Sequence, residues 1–219
     1  MTDTPRPAVT ADQLVIAGLT PLSTCDWPGH LAATVFLQGC PLACGYCHNP
    51  ELIDPTAPGS RTWAEVVALL DARRGLLDGV VFSGGEPTRQ TALADAMSKV
   101  KGMGFKVGLH TSGAYPAALG RVLPSCDWVG LDIKAPPHLY SAVTGVAAAA
   151  EKAWASLRAC LRAGVDLQVR TTYDRTTMTD EDIESIRTEV LALGVEDFLV
   201  QEVRLEGVRQ SYRDRVKAV

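Results

Sequence analysis

The sequence has no apolar run as long as the roughly 18 residues that a helix needs to cross a bilayer, and its first residues, MTDTPRPAVTADQL, lack the hydrophobic core of a signal peptide. It also has no excess of positive charge, since 21 Lys and Arg stand against 25 Asp and Glu, a net charge of −4. The lack of a long apolar run argues against a membrane-spanning protein. The lack of excess positive charge means that the chain has no overall electrostatic attraction for nucleic acid or an anionic membrane. We therefore expect a cytoplasmic protein with no membrane and no nucleic acid among its partners.

The sequence lacks internal repeats and low-complexity linkers, and its 219 residues suit one domain with a full core. Its six cysteines do not indicate a disulfide framework, because a reducing cytosol keeps thiols free. Half of them lie close together in the stretch LQGCPLACGYCHNPEL, at Cys40, Cys44 and Cys47. This crowding favours metal or redox chemistry.

From about residue 31, short apolar runs alternate with segments of helical periodicity. Trp63 and Val66 begin one such helix behind a capping box of Thr62 and Glu65, and Gly164 is expected to end a later one. The six expected strands cover residues 31–38, 78–85, 105–113, 127–134, 166–173 and 197–203. Strands joined by helices run parallel, which predicts an α/β fold, either an open doubly wound sheet or a curved part of a β/α barrel.

In both of these folds, ligands bind at the carboxyl ends of the parallel strands. The residues with unusual chemistry fall at those ends in this sequence. They are the cysteine loop after the first strand, Gly84, Gly85 and Glu86 after the second, His110 and Thr111 on the third, Asp132 and Lys134 on the fourth, Arg170 and Thr171 on the fifth, and Gln201 late in the sixth. A single rim with thiols, acids, bases and a glycine turn predicts an active site.

The spacing Cys40-x3-Cys44-x2-Cys47 offers three thiolates where metal sites usually use four. A structural zinc site takes four ligands, and no second Cys-x2-Cys knuckle exists, although Cys25 could fold back as a fourth ligand. Iron–sulfur clusters are also usually held by four thiolates. Three thiolates leave one iron open, and an open coordination position is where metal chemistry takes place.

This motif, with Tyr46 before its last cysteine, resembles the signature of radical S-adenosylmethionine (radical SAM) enzymes. The resemblance implies that Cys40, Cys44 and Cys47 hold a 4Fe–4S cluster whose fourth iron is chelated by S-adenosylmethionine. It also implies that an electron from the cluster cleaves this cofactor to methionine and a 5′-deoxyadenosyl radical, which then abstracts a hydrogen atom. The fold that this superfamily implies is a partial (β/α)6 barrel.

The segment SGGEP, residues 83–87, resembles the superfamily's glycine-rich turn. The resemblance implies that Gly84, Gly85 and Glu86 bind the amino group of the cofactor's methionine part. Glycines suit this role because they let the backbone approach a ligand closely, and a glutamate could accept hydrogen bonds from an ammonium group.

A narrower resemblance covers residues 17–203. The stretch LSTCDWPGHLAATVFLQGCPLACGYCHNPEL is similar to the N-terminal part of small activating enzymes of glycyl radical proteins, and GVVFSGGEPT, HTSG, LDIKAP and VRTT follow in matching order. Within that family the chain most resembles anaerobic ribonucleoside-triphosphate reductase activating proteins. The resemblance implies a single domain over residues 1–219 with a tail at 204–219. It also implies a glycyl radical enzyme as the protein substrate and an external electron donor such as flavodoxin or ferredoxin.

The resemblance also implies roles for individual residues around the cluster. Tyr46 and Asn49 would lie near the adenosyl group, and Asp26, a candidate catalytic residue, would lie near the entering substrate segment. Thr111 and Gln201 complete the candidate cofactor-binding residues at the rim. None of these roles follows from spacing alone.

The last three strands supply the charged residues of the predicted site. Arg170 matches an arginine that meets the cofactor carboxylate in related activators, a role that suits a guanidinium. Asp132 and Lys134 match an Asp-x-Lys pair, in which the lysine lies near the cofactor and is a second candidate catalytic residue. The chain departs from related activators at His110, where they often carry an aspartate that helps to hold a monovalent cation. A cation site is therefore an open question.

Several plainer interpretations stay open. A small-molecule radical enzyme such as a 7-carboxy-7-deazaguanine synthase would share the cysteine loop and the glycine turn, but would build its substrate pocket from its own side chains. A non-catalytic iron–sulfur carrier or zinc-binding module would leave Arg170 unexplained. Asp132 and Lys134 could form an ordinary ion pair. His48 could be a fourth cluster or metal ligand, but the family motif needs none, so a hydrogen-bonded loop histidine is favoured. The arginine-rich tail could be a solvated helix or a docking surface.

Overall fold

A computed structural model of the chain describes residues 8–218, so the predicted domain ends at residues 1 and 219 lie outside the described residues. Its centre is one seven-stranded sheet. The strands are β1 (Ile16–Ser23), β2 (Ala32–Leu37), β3 (Gly79–Gly84), β4 (Lys106–Thr111), β5 (Trp128–Asp132), β6 (Asp166–Tyr173) and β7 (Asp197–Glu202). They lie in the sheet in their order along the chain, and β2 to β7 are parallel. A doubly wound sheet reverses its strand order, so this unreversed order is that of a barrel left open between β1 and β7.

Seven α-helices accompany the sheet within residues 8–218. They are α1 (Trp63–Ala72), α2 (Leu93–Gly102), α3 (Pro116–Val122), α4 (Tyr140–Thr144), α5 (Ala149–Ala163), α6 (Asp180–Ala192) and α7 (Gln210–Val216). The predicted capping box of α1 is confirmed, because the Thr62 hydroxyl accepts from the Glu65 amide and the Glu65 carboxylate accepts from the Thr62 amide. Gly164 ends α5 in the left-handed conformation that glycine adopts readily. No helix among the described residues is long and apolar enough to span a membrane.

The two faces of the sheet differ because successive side chains of a strand point to opposite sides. Val80 and Phe82 of β3 belong to the main core, together with apolar side chains of the helices. Val81, between them, belongs to a second cluster with Trp27 and Trp128, whose rings stack at 5.6 Å. This second cluster lies near the amino ends of the strands on the inner face. The carboxyl ends of the same face are left for the site.

Strand β1 was not predicted from the sequence. It is antiparallel to β2, contains Gly18 and Pro21, and its register is irregular between Ile16 and Gly18 and again between Thr20 and Ser23. Glycine and proline are poor strand residues, and proline is tolerated at a sheet edge, where its missing N–H is not needed. The partial barrel of six parallel strands is as predicted, with this antiparallel strand added at one edge.

Candidate active site

A cavity of about 700 Å³ lies at the carboxyl ends of the parallel strands. Parallel connectivity brings these strand ends to one edge, so the cavity collects residues that are far apart in the sequence. Of the residues predicted for the site, the following line it: Asp26, Cys40, Cys44, Tyr46, Cys47, Asn49, Gly84, Gly85, Thr111, Asp132, Lys134, Arg170 and Gln201. Glu86 does not line the cavity. His110, which the sequence placed at this rim, does line it, and Thr172, Val203 and Arg204 line it although the sequence did not predict them.

The cysteine loop, residues 39–48, is fastened by main-chain hydrogen bonds. The Gly39 amide donates to the Leu52 carbonyl (2.8 Å), and the Ala43 amide donates to the Thr144 carbonyl at the end of α4 (2.9 Å). All three thiols of the loop are free and line the cavity. Within residues 8–218, no three His, Cys, Asp or Glu side chains are grouped around a position for one metal ion. An iron–sulfur cluster needs a different arrangement of ligands from a single metal ion, because each thiolate binds a separate iron.

The chemistry of the loop fits a thiolate-bound cluster. Burial raises the pKa of Cys40 to about 11 and also raises the pKa of Cys44, so both are neutral thiols in the metal-free chain. Coordination deprotonates a thiol, and iron binding here would therefore release protons. The Tyr46 hydroxyl, in a side chain only 5% exposed, has no hydrogen-bond partner among the described residues. A cavity with three free thiols and an unpaired buried hydroxyl suits a polar, metal-linked ligand.

The glycine turn after β3 packs directly on the backbone that precedes the cysteine loop. A Cβ at Gly84, whose φ is +109°, would collide with the Leu37 amide nitrogen. A Cβ at Gly85 would lie 2.5 Å from the Gly39 carbonyl oxygen. The Gly85 amide donates to the Leu37 carbonyl at 2.9 Å. Only glycine fits at these two positions, and its absence of a side chain keeps backbone exposed at the cavity wall.

Glu86 does not reach the cavity, contrary to the prediction that it meets the cofactor. The residue is 0% exposed, and its carboxylate accepts five hydrogen bonds from the protein. The donors are the amide and hydroxyl of Thr88, the hydroxyl of Thr111, and the amide and hydroxyl of Ser112, at 2.5–3.1 Å. This buried charge is fully satisfied, as buried carboxylates must be. It joins the glycine turn to the end of β4 from behind the cavity wall.

Asp132, Arg170 and Lys134 form a charged group on neighbouring strands. Arg170 Nε and Nη2 both lie 2.9 Å from Asp132 Oδ1, and Lys134 Nζ lies 3.2 Å from Oδ2. Burial alone would raise the pKa of Asp132, but the charges of Arg170 and Lys134 outweigh it and lower this pKa to about 2. The aspartate is therefore ionised, and two cations share one anion. The net positive charge suits a ligand that carries a carboxylate.

His110 ties the end of β4 to the floor of the cavity. Its Nε2 lies 2.7 Å from the Asp26 carbonyl oxygen, which can only accept, so Nε2 carries the hydrogen and Nδ1 can accept from the Ser83 hydroxyl at 3.2 Å. Burial, followed by the charge of Arg170, lowers the pKa of His110 to about 4. The imidazole is therefore neutral at pH 7. It fixes Asp26, whose carboxylate accepts from the Thr34 hydroxyl at 2.6 Å, and it supplies no anionic oxygen for a cation.

The absence of a side chain at Gly130 leaves room for the side chains of Trp128, His110 and Arg170. A Cβ at this position would lie 2.8 Å from Trp128 Cη2 and 3.1 Å from both Arg170 Cζ and His110 Cδ2. We expect Gly130→Ala to lower the free energy of unfolding by about 1–3 kcal/mol, as overpacking does, and to weaken binding of a carboxylate ligand through displacement of Arg170. Denaturant titration and calorimetry measure the two effects. Gly120→Ala on α3 is the control, since its Cβ meets no atom within 4 Å. An equal free energy of unfolding and an equal ligand affinity in the two variants would contradict this prediction.

The C-terminal segment, residues 203–218, covers the outside of the cysteine loop. His48 Nε2 donates to the Arg204 carbonyl at 2.8 Å, which agrees with a hydrogen-bonded loop histidine. A Cβ at Gly207, whose φ is +78°, would collide with the His48 carbonyl oxygen. Most of the segment is exposed, which agrees with the solvated tail, but Val208 and Tyr212 are buried, so the segment is also packed against the rest of the protein.

Helix α7 completes this cover. Tyr212 is 2% exposed, lies edge-on to Tyr46 with ring centroids 6.5 Å apart, and donates to Asp174 at 2.8 Å. Arg215 lies over the outer side of Gly45, where an added Cβ would be 2.5 Å from its Nη2. The sequence signals for these contacts are weak, because a single tyrosine among arginines does not reveal which loop it will meet.

The fold and the site together define a class of protein: an open β/α barrel with a three-thiol centre and a glycine turn at one rim. Residues 34–208 match the Radical SAM superfamily model. The chain belongs to the radical SAM superfamily.

Proteins similar to this chain agree with that assignment. A protein of Methanocaldococcus jannaschii, named as a glycyl-radical enzyme activating enzyme, is 31% identical over 78% of this chain and 73% of its own length. The pyruvate formate-lyase-activating enzyme of Clostridium pasteurianum is 34% identical over 55% of this chain, which spans about half of that relative, 52%. The structure of Streptococcus suis SuiB bound to S-adenosylmethionine shares the fold, with a TM-score of 0.62 at 14% identity over 83% of this chain and 44% of SuiB.

Proposed function

We propose that this chain cleaves S-adenosylmethionine reductively and uses the resulting radical to install a glycyl radical on a partner enzyme. The observation that carries this proposal is the single cavity in which the three thiols, the glycine turn and the group around Asp132 face one another. The similarity to activating enzymes over most of the chain supports the choice of a protein substrate.

Some residues of the cavity are proposed to bind the iron–sulfur cluster, and others are proposed to bind S-adenosylmethionine. Cys40, Cys44 and Cys47 would hold the cluster, and the exposed backbone of Gly84 and Gly85 would meet the amino group of S-adenosylmethionine. The 4Fe–4S cluster and S-adenosylmethionine, when bound, supply a 5′-deoxyadenosyl radical that can abstract a hydrogen atom.

The charged group is proposed to bind the carboxylate of the methionine part. Arg170 and Lys134 are only 12% and 14% exposed, so their charges are little screened by solvent. Asp132 holds both cations in place and leaves the group with one net positive charge. The carboxylate of S-adenosylmethionine would neutralise that excess charge, with Arg170 as the main donor.

The adenosyl end is proposed to lie near Tyr46 and Asn49, with Thr111 and Gln201 on the surrounding wall. The unpaired Tyr46 hydroxyl supports this arrangement, because a buried hydroxyl without a partner is costly unless a ligand supplies one. The Thr111 hydroxyl is already engaged, since it donates to Glu86 and accepts from the Gly113 amide. We therefore assign Thr111 to the shape of the wall rather than to a ligand hydrogen bond.

The open side of the barrel is the proposed entry for the substrate. Edge strands β1 and β7 leave the described sheet unclosed. Asp26, just after β1, and Gln201, on β7, line the same cavity. A partner segment that enters here would exclude water from the radical and present a glycine, which has no side chain to obstruct its Cα–H. Asp26, held by His110 and Thr34, would accept from backbone amides of that segment.

The partner is proposed to be a glycyl radical enzyme such as anaerobic ribonucleotide reductase. The electron for the cluster would come from a separate carrier such as flavodoxin or ferredoxin. We propose that residues 1–219 act as one domain with a tail at 204–219, of which the described residues, 204–218, pack beside the cysteine loop.

Electron paramagnetic resonance tests the proposal. The reconstituted protein is incubated anaerobically with dithionite, S-adenosylmethionine and a candidate partner, the anaerobic ribonucleotide reductase of the same organism. We expect a persistent glycyl doublet on the partner and one 5′-deoxyadenosine per radical formed. A partner with its radical glycine replaced by alanine is the control. Turnover of a free small molecule with no radical on any partner would instead support the deazaguanine-synthase alternative.

A further inference from the structure

The cysteine loop has two faces, and the proposed function uses only one of them. Its inner face presents the three thiols to the cavity. Its outer face is covered at Gly45 by Arg215 and bordered by the rest of α7. Neither Gly45 nor Arg215 lines the cavity, so the outer face is separated from the thiols only by the thickness of the loop.

The cover carries positive charge in a chain that is acidic as a whole. Arg204 lines the cavity, and the remaining residues 205–218 contain four basic side chains and two acidic ones, whereas the whole chain has a net charge of −4. Arg209, Arg215 and Lys217 are exposed, and Arg213 is half-buried. Such a local excess attracts an acidic partner and speeds its association. The charge lies beside the one loop of the protein that bears the candidate redox centre.

We infer that this surface, α7 with the outer face of the cysteine loop, docks a small acidic one-electron carrier protein. The inference rests on the proposed function, since only a cluster behind the loop gives the carrier a redox partner. One electron would leave the reduced carrier and reduce the cluster by one electron, with no bond formed or broken.

A matched pair of double variants tests the inference. Arg209→Glu with Lys217→Glu reverses two exposed charges of the cover but keeps the contact of Arg215 with Gly45. Arg158→Glu with Arg162→Glu makes the same charge change on exposed positions of α5. The probe is an acidic flavodoxin. Its dissociation constant is measured by calorimetry with cluster-free and reconstituted protein, at low and at physiological salt.

We expect the α7 variant to bind flavodoxin about ten- to a hundredfold more weakly at low salt, within the range of electrostatic steering, and the α5 variant to bind as the parent does. S-adenosylmethionine cleavage driven by reduced flavodoxin should fall with the affinity. Cleavage driven by dithionite, which needs no docking, should be unchanged, and this also shows that the α7 variant is folded. A second variant, Arg215→Gln, should weaken binding in the same direction.

Unchanged flavodoxin affinity in the α7 variant would overturn the inference. So would weaker binding of the glycyl radical enzyme with flavodoxin binding intact, because the surface would then serve the substrate protein. Failure of the proposed function would give a different result, because the unmodified protein would not cleave S-adenosylmethionine even with dithionite. The flavodoxin affinities of the parent and the two double variants could still be compared by calorimetry.

Discussion

Replacement of Cys40, Cys44 or Cys47 by serine is expected to abolish both cluster assembly and S-adenosylmethionine cleavage. The thiols come from one loop and line one cavity, and each would bind a different iron, so no neighbouring thiol can replace a lost one. A serine hydroxyl is a much poorer ligand for iron than a thiolate. Iron and sulfide analysis, the ultraviolet-visible spectrum after anaerobic reconstitution and the yield of 5′-deoxyadenosine measure the loss.

Cys126→Ser is the matched control. Cys126 is also buried, and its Sγ lies 3.5 Å from the Val122 carbonyl oxygen, so a serine hydroxyl in its place has an acceptor. We expect this variant to assemble the cluster and cleave the cofactor like the parent. A full iron and sulfide content in any of the three loop variants would show that the assignment of ligands is wrong.

Arg170→Ala is expected to weaken S-adenosylmethionine binding by about ten- to a hundredfold while it spares the cluster. A hydrogen bond to a charged group contributes roughly 1.5–3 kcal/mol, and about 1.4 kcal/mol corresponds to a factor of ten in affinity. Calorimetry on the reconstituted protein measures the change. Arg170→Lys keeps the charge but not the planar donors, so it should recover only part of the affinity. Binding equal to the parent in the alanine variant would remove Arg170 from the site.

The same variant has a consequence for acid stability. The pKa of Asp132 is about 2 in the folded chain, against an ordinary value of 3.8. Its ionised form therefore adds stability above about pH 4, by about 2 kcal/mol, and this contribution is lost as the pH falls through 2. Without Arg170 the pKa of Asp132 should rise towards its ordinary value, so the contribution should be smaller and its loss on acidification should be complete at a higher pH. Thermal unfolding of the parent and of Arg170→Ala, measured between pH 2 and pH 7, about the range of the titration, tests this. An identical dependence of stability on pH in the two proteins would contradict it.

Glu86 shows where a motif misleads about a side chain. The turn SGGEP was predicted at the rim, and its glycines do line the cavity. The glutamate side chain points away from the cavity, and there Thr88, Thr111 and Ser112 satisfy its carboxylate with hydrogen bonds. Thr111 ends β4 and Ser112 follows it, and a motif of five residues contains no information about that part of the chain.

The sequence by itself determined the alternation of six strands with helices and the edge at which the chemistry gathers. Both follow from short-range patterns. Apolar periodicity marks each element, and parallel connectivity then brings the carboxyl ends of consecutive strands to one rim whatever the details of packing. The spacing of Cys40, Cys44 and Cys47 is equally local. The placement of Arg170 beside Asp132 needed only the correct order and register of β5 and β6.

The tertiary structure alone decided the remaining features, because each depends on partners that no local pattern announces. Strand β1 forms despite Gly18 and Pro21, since pairing with β2 satisfies its backbone. His48 meets the Arg204 carbonyl across 156 residues of sequence. Tyr212 is buried against Tyr46 although it lies in a charged tail. Contacts between distant residues form only when the whole chain is packed, so the cover of the cysteine loop and its basic outer surface emerge from the fold.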